Sequence, residues 1–404
     1  MAKEKKWGMT TTAVHAGYSP IPMKPEEMTL FRSVTPPLIQ SAIYPLTDVE
    51  HYTRIVWGEE PGFDYGRNSN PTVDILERKL AAMEGGESAL ATPSGMHAVF
   101  LTTLYLAKTG DEVMTTHLIF GEAYEFFFKI APEHMGITPR LVQNAADLKE
   151  WERQITPKTR LVWIETPSNP TLFITDIAGV AEIAHAHGVP VVVDNTLVTS
   201  CHQHPFELGA DFVVYSLTKF MIGNGSIVGG AIIGKKEKIR GLRSLIAGVG
   251  SILHPFSAWL ALLSLETLPL RMARHSSNAE KVAKYLVQHP KVLHVNYPSL
   301  RDHPQHELAK RQMPNGCGGL LSFVVKGGRE GAIKVMESFQ LIAIVPSFGT
   351  SRTIATHPAT HTHCNMKPEE REAVGIYDGL IRLSVGLEEP EDIIADLDQA
   401  LAKL

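Results

Sequence analysis

The fold turns on DFVVYSLTKF, residues 211–220. Phe212, Val213, Val214 and Tyr215 run without a polar break, the pattern of a strand covered on both faces. Ser216, Thr218 and Lys219 stand just beyond its carboxyl end, where open α/β sheets hold their ligands. An amine set there between apolar stretches loses water, which favours its neutral, nucleophilic form. A lysine in a loop is ordinarily a solvated surface group, so Lys219 takes its meaning from the neighbouring strand ends.

Comparable apolar runs are LVWIE at 161–165, VPVVVD at 189–194 and GAIIG at 230–234. Helical spacing marks VDILERKLAAMEGG, with a stop at Gly85–Gly86, MHAVFLTTLYLAKTGD, closed by Gly110, and AGVAEIAHAHG, ending at Gly188. Buried strands alternating with helices predict an α/β fold, a mostly parallel sheet covered on both sides. The stretch at 256–289, FSAWLALLSLETLPLRMARHSSNAEKVAKYLVQH, predicts a long helix kinked near Pro269. Beyond it LLSFVV, LIAIVPS and IRLSVG read as strands of a smaller α+β domain, with EDIIADLDQALAKL as a helix. The expected divisions are an arm over 1–65 with few regular elements, a large domain over 66–260 and a C-terminal domain over 261–404.

Composition narrows function by exclusion. Of 404 residues 44% are hydrophobic and 20% charged, with net charge −5, so no basic surplus points to nucleic acid. Cys201, Cys317 and Cys364 lie far apart without CxxC spacing, which fits a reducing compartment. MAKEKKWGMT lacks the apolar core of a signal peptide, and no apolar run approaches the roughly 20 residues of a membrane helix. The expectation is a soluble, cytoplasmic protein with neither a membrane nor a nucleic-acid partner.

Around Lys219 several motifs converge. VPVVVDNT ends a buried strand in Asp194, which either caps the strand end or faces the ring nitrogen of a pyridinium cofactor. TPSGMHAVF puts Ser94, Gly95 and Met96 at a helix start. Such a turn often only caps its helix, but with Ser216 and Thr218 it makes a phosphate cradle of free N–H groups and hydroxyls. In YGRNSNPT, Tyr65 and Arg67 are either a solvated turn or a bidentate phosphate grip. IETPSNPT places Asn169 at another strand end. IRLSVG sets Arg382 in an apolar strand, where a guanidinium needs an anion, and an amino-acid carboxylate is a natural one. HPATHTH, with His357, His361 and His363, suggests either a metal site or a structural loop.

Together and in this order, SLTK, VVVDNT, SGM, YGRNSNPT and HPATHTH resemble the Cys/Met-metabolism family of pyridoxal-phosphate (PLP) enzymes, over nearly the whole chain from TTAVHAG to GLIRLSVGLEEPEDIIADL. The resemblance implies the aminotransferase-like fold type I, with a mostly parallel seven-stranded sheet. It implies PLP as cofactor, Lys219 as the Schiff-base lysine and proton carrier, and Asp194 as partner of the pyridinium nitrogen. Gly95, Met96, Ser216 and Thr218 would hold the phosphate, joined by Tyr65 and Arg67 of a neighbouring subunit. The protein is then a homodimer with shared sites, paired into a tetramer. Asn169 and Arg382, with the backbone around Ser347, would hold the ring hydroxyl and the substrate carboxylate. The histidines then belong to a structural loop near the pocket, with no metal.

Departures from the family pattern carry the specificity. Where most relatives stack a tyrosine on the cofactor ring, this chain has Phe120, keeping the ring face and losing a phenol that assists proton transfer. At the position of methionine γ-lyase's reactive cysteine stands Glu122, which either turns to solvent or favours a cationic side chain over a thioether. Pro346 replaces the glutamate that reads a distal ammonium in cystathionine enzymes. GNGS at 223–226, with Asn224 and Ser226, and Arg352 in place of an acidic residue mark a locally altered pocket.

The function expected is γ-elimination or γ-replacement on a γ-substituted L-amino acid. Phe120 and Glu122 together suit canavanine, whose cationic guanidinooxy group departs easily, giving homoserine and hydroxyguanidine. The alternatives are methionine γ-lyase, O-acylhomoserine sulfhydrylase or cystathionine γ-synthase, and a non-catalytic PLP-fold scaffold or amino-acid sensor.

Overall fold

The computed structural model describes residues 7–18 and 33–404. Seven strands form the large sheet: β1 (Ser88–Thr92), β2 (Glu112–Thr116), β3 (Thr138–Val142), β4 (Thr159–Glu165), β5 (Val191–Asp194), β6 (Phe212–Ser216) and β7 (Gly230–Gly234). Their order is β1-β7-β6-β5-β4-β2-β3, and β7 alone runs against its neighbours. The seven-stranded, mostly parallel expectation therefore holds.

The unbroken apolar runs have a direct cause. Phe212 and Val214 of β6 pack into the core on one face of the sheet, and Val213 and Tyr215 into the core on the other. The same alternation assigns Trp163 and Val192 to one face, Ile164 and Val193 to the other. A strand with helices on both faces has no polar side to show. The helix Pro71–Glu84 starts where Asn70 Oδ1 accepts from the amides of Thr72 and Val73, at 2.9 and 3.3 Å, and stops at Gly85.

Two helix boundaries differ from expectation. The helix Gly95–Leu106 ends before Gly110, because Ala107 turns extended and Asp111 Oδ2 accepts from Lys108 N at 2.9 Å, closing a loop there. The long helix over 256–289 is two, Pro255–Leu265 and Leu268–Gln288. Pro269 sits in the first turn of the second, where its missing N–H costs nothing. Arg271 donates to Ser264 O at 2.9 Å, satisfying a carbonyl at the end of the first.

The second sheet contains β8 (Val292–Asn296), β9 (Leu320–Val325), β10 (Ala343–Ile344), β11 (Ile354–Thr356) and β12 (Leu380–Ser384), in the order β10-β11-β12-β9-β8. β12 lies at its centre, antiparallel to β11 and β9, and carries Arg382. Gln305 and Gln312 tie this part to the large sheet. Each exchanges hydrogen bonds with the backbone between Ile174 and Ile177, at 2.8–3.1 Å.

The N-terminal segment has more regular structure than expected, with short helices at Met9–His15 and His51–Trp57. It lies partly on its own body: the buried Lys79 donates to Ala13 O at 2.7 Å, and Trp259 Nε1 donates to Pro36 O at 3.0 Å. Among the described residues, no helix is long and apolar enough to cross a membrane.

Candidate active site

The carboxyl ends of β4, β5 and β6 open into one cavity lined by Ser94, Gly95, Met96, Phe120, Asn169, Asp194, Ser216, Thr218 and Lys219. A second, contiguous cleft continues past Lys219 and Phe120 to Glu122, Pro346, Ser347, His361 and Arg382. The first is floored by the large sheet; the second is walled on one side by the small one.

Lys219 follows β6 through a tight turn. Its Nζ donates to Ser347 Oγ at 2.9 Å and lies 4.9 Å from the centre of the Phe348 ring. The loop bearing both reaches the lysine because residue 349 is glycine, at φ +82°, where a Cβ would come within 2.8 Å of the Lys219 carbonyl carbon. Burial brings the amine down to about 8; Arg382 pushes the same way and Glu122 opposes. Only the neutral amine is a nucleophile. Covalent capture of PLP by the apoprotein is thus expected to quicken with pH and level off above about 8. Glu122→Gln removes the opposing charge, so its plateau begins at lower pH; a stopped-flow absorbance series reads both.

Beneath the lysine, Asp194 Oδ1 accepts from Thr196 N at 2.9 Å. Glu165 lies across the β4–β5 register from it. Burial raises both carboxyls, Asp194 to about 6, and among the described residues neither is balanced by a cationic side chain. The cavity floor thus lacks one positive charge, which a protonated pyridine nitrogen would supply. Glu165 also accepts from Phe120 N, at 2.6 Å, and from the backbone at Asn169. It thereby fixes two residues of the cavity wall.

At the opposite side, Ser94 caps the helix Gly95–Leu106, its Oγ accepting from His97 N at 3.0 Å. The amides of Gly95 and Met96 open that helix and have no intrahelical acceptor, an anion site by construction. Gly95 is needed for contact, since a Cβ there would lie 2.8 Å from Ser216 Cβ. The Thr218 hydroxyl clasps the Gly229 backbone, at 3.1 and 3.3 Å. The residues therefore fit PLP: an amine for its aldehyde, a carboxylate for its ring nitrogen and a helix start for its phosphate.

Arg382 is 2% exposed and donates to Asn169 Oδ1, Ser347 O and Thr356 Oγ1, at 3.1, 2.6 and 2.7 Å. Its Nε is buried without a partner, and no carboxylate of the chain pairs with it among the described residues, so the guanidinium is prepared for an incoming anion. Tyr65 and Arg67 lie apart from both cavities; Arg67 donates to Ala247 O and sits 5.5 Å over the Tyr65 ring.

Asn224, Ser226 and Arg352 are exposed and line neither cavity. Asn224 Oδ1 accepts from Ser226 N at 3.0 Å, a local turn, so these departures do not reshape the pocket as expected. Glu165, Thr356 and Phe348 went unnoticed in the sequence. Among the described residues no group of three His, Cys, Asp or Glu side chains is placed to hold a metal.

An amine, a carboxylate and a phosphate cradle at adjoining strand ends of a mostly parallel sheet define a PLP enzyme of fold type I. The chain belongs to the Cys/Met metabolism PLP-dependent enzyme family, whose model matches residues 10–402. It is 41% identical over 397 residues to L-methionine gamma-lyase of Pseudomonas putida, covering 98% of this chain and 97% of that one. It is 42% identical over 350 residues to O-succinylhomoserine sulfhydrylase of Pseudomonas aeruginosa, covering 86% and 85%. The crystal structure of metB from Corynebacterium glutamicum matches at TM-score 0.89 and 33% identity over 98% of both chains. The protein is thus a PLP-dependent γ-lyase or γ-replacement enzyme.

Proposed function

We propose that the enzyme is a γ-lyase for an amino acid with a cationic γ-substituent, canavanine best fitting the cleft. The carrying observation is Glu122, whose carboxylate lines the distal cleft and whose charge reaches Lys219. When bound, PLP supplies the electron sink for negative charge developed on the substrate's carbon skeleton. Arg382 and Asn169 grip the substrate carboxylate, which aims Cα at Lys219. The Lys219 amine takes the Cα proton, and then moves protons at the neighbouring carbons while the γ-substituent departs. Asp194 would balance the pyridinium, Gly95, Met96 and Ser216 would hold the phosphate, and the Phe120 ring would stand against the cofactor. Addition of water at Cγ then converts canavanine to homoserine and hydroxyguanidine.

Mass spectrometry of products from canavanine and from methionine tests this. Homoserine and hydroxyguanidine from canavanine alone are expected, with KM rising about tenfold or more in Glu122→Gln as one charge pairing is lost. Methanethiol and 2-oxobutanoate from methionine, with canavanine untouched, would sink it.

A second reading, methionine γ-lyase, is favoured by the 41% identity to such an enzyme. On that reading Phe120→Tyr restores a phenol and raises thioether turnover about tenfold or more. On the canavanine reading the same variant gains nothing with thioethers, so steady-state rates with methionine separate the two.

The arm's exposed Val34, Ile43, Val49 and Trp57 support a homodimer, in which Tyr65 and Arg67 serve the neighbour's phosphate, and pairing of dimers into a tetramer. A cytoplasmic location accords with the absence of paired cysteines.

A further inference from the structure

The γ-substituent leaves with an electron pair, and a basic leaving group needs a proton to go with it. Phe120 has no hydroxyl, Pro346 no donor, and Lys219 is engaged by Ser347 on the amino-acid side of the cleft. A further side chain on the distal wall with an exchangeable ring proton is the imidazole of His361, the group type that most often serves as a general acid or base.

The three histidines of 357–363 are not equivalent. His357 is used up in holding the loop, its Nδ1 meeting Thr360 Oγ1 at 2.9 Å and its Nε2 meeting Asp378 O at 2.8 Å. His363 Nδ1 meets Thr362 Oγ1 at 2.8 Å, and burial, with Arg382 and Arg371 adding to it, brings that ring down to about 4. His361 is half-buried, and no described residue hydrogen-bonds to either of its ring nitrogens. Its Nδ1 is sealed from solvent, which leaves Nε2 as the nitrogen free to work in the cleft. The loop is braced against the segment carrying Glu122: a Cβ on Gly121 would come within 3.3 Å of Thr362 O. His361 and Glu122 therefore line the same distal wall on segments in contact.

We propose that His361 is a further catalytic residue, the proton donor to the atom that leaves Cγ. The Cγ–X bond breaks and its electron pair goes to X. The imidazolium Nε2–H proton goes to the X atom that has taken the electron pair, giving HX, and the neutral ring regains a proton from water at the cleft mouth. The proposal rests on the γ-bond-breaking reading but not on canavanine as substrate.

The test compares wild-type and His361→Asn holoenzyme on two leaving groups. O-succinylhomoserine loses a carboxylate, which needs no proton; canavanine or methionine, whichever the wild type turns over, loses an oxyanion or a thiolate more basic than a carboxylate, the thiolate the poorer leaving group of the two. The variant is expected to lose about 10²-fold or more in kcat with the basic group and under about threefold with the ester, with added imidazole restoring part of the loss. Retained ester turnover shows that the variant is folded. Equal losses on both, or none on the basic group, would overturn the assignment. Independently of activity, diethyl pyrocarbonate is expected to label His361 in the apoprotein and bound homoserine to protect it, as read by peptide mass spectrometry. An unlabelled His361 would show the ring closed to the cleft and overturn it too.

Discussion

Replacing Lys219 with alanine lowers turnover of every γ-substituted amino acid by about 10³-fold or more while leaving the protein folded. Its side chain makes one hydrogen bond, to Ser347 Oγ at 2.9 Å, so truncation removes about 1 kcal/mol of contact at most. The chemical loss is of another order. Among the described residues, no other lysine lines either cavity, and burial holds the Lys219 amine at about 8, where it can both attack a carbonyl carbon and carry a proton. Lys219→Arg separates charge from chemistry, because it restores a cation beside Ser347 but not a neutral amine. Both variants are expected to be equally inactive, to show native circular dichroism and to yield no cofactor adduct after borohydride reduction. Methylamine in the buffer is expected to recover a small part of the alanine variant's rate. Turnover within tenfold of wild type in either variant would place the proton transfers on another group.

What the sequence displayed of this site, and what it hid, follows from the range of the signals. β4, β5 and β6 were legible because burial on both faces leaves uninterrupted apolar runs, and their carboxyl ends mark where ligands sit. Asp194, Ser216 and Lys219 follow those runs directly. Arg382 was legible as a charge in an apolar strand. Glu165 was not: it too ends an apolar run, but its importance comes from the amide of Phe120, 45 residues away in sequence. Phe348 belongs to the site through a loop that Gly349 brings up to Lys219, and Thr356 through its place on β11 beside Arg382. The break between Leu265 and Leu268 was missed for a local reason, since a proline in a helical pattern reads equally as a kink and as the first turn of a new helix. His361 was read only as part of a histidine-rich loop; its freedom shows once the bonds of His357 and His363 are placed.

Asp194→Asn is expected to make the apoprotein more stable and the holoenzyme nearly inactive, effects of opposite sign from one atom change. In the apoprotein burial lifts Asp194 from 3.8 to about 6, so the folded chain holds this proton more tightly than the unfolded one. As pH rises the unfolded state releases it first, and stability falls from about pH 4 until the folded group has titrated, near 6. At 1.36 kcal/mol per unit the ceiling is near 3 kcal/mol, and water in the cavity brings the expected cost to roughly 1–2 kcal/mol. Asparagine has no proton to lose. The apoprotein difference, variant minus wild type, should open across that window and stay constant above it, as melting curves between pH 4 and 8 would show. Glu165, raised by the same burial and by Asp194 itself, remains in both proteins and is relieved in the variant. PLP reverses the comparison, because a carboxylate facing a protonated ring nitrogen is paired, whereas an amide there leaves that charge buried alone. Breaking such a pair from one side costs about 3–5 kcal/mol, so turnover in Asp194→Asn should fall by about 10²-fold to nearly 10⁴-fold. A variant that melts no higher than wild type above pH 6 and works normally would mean that Asp194 only caps its strand.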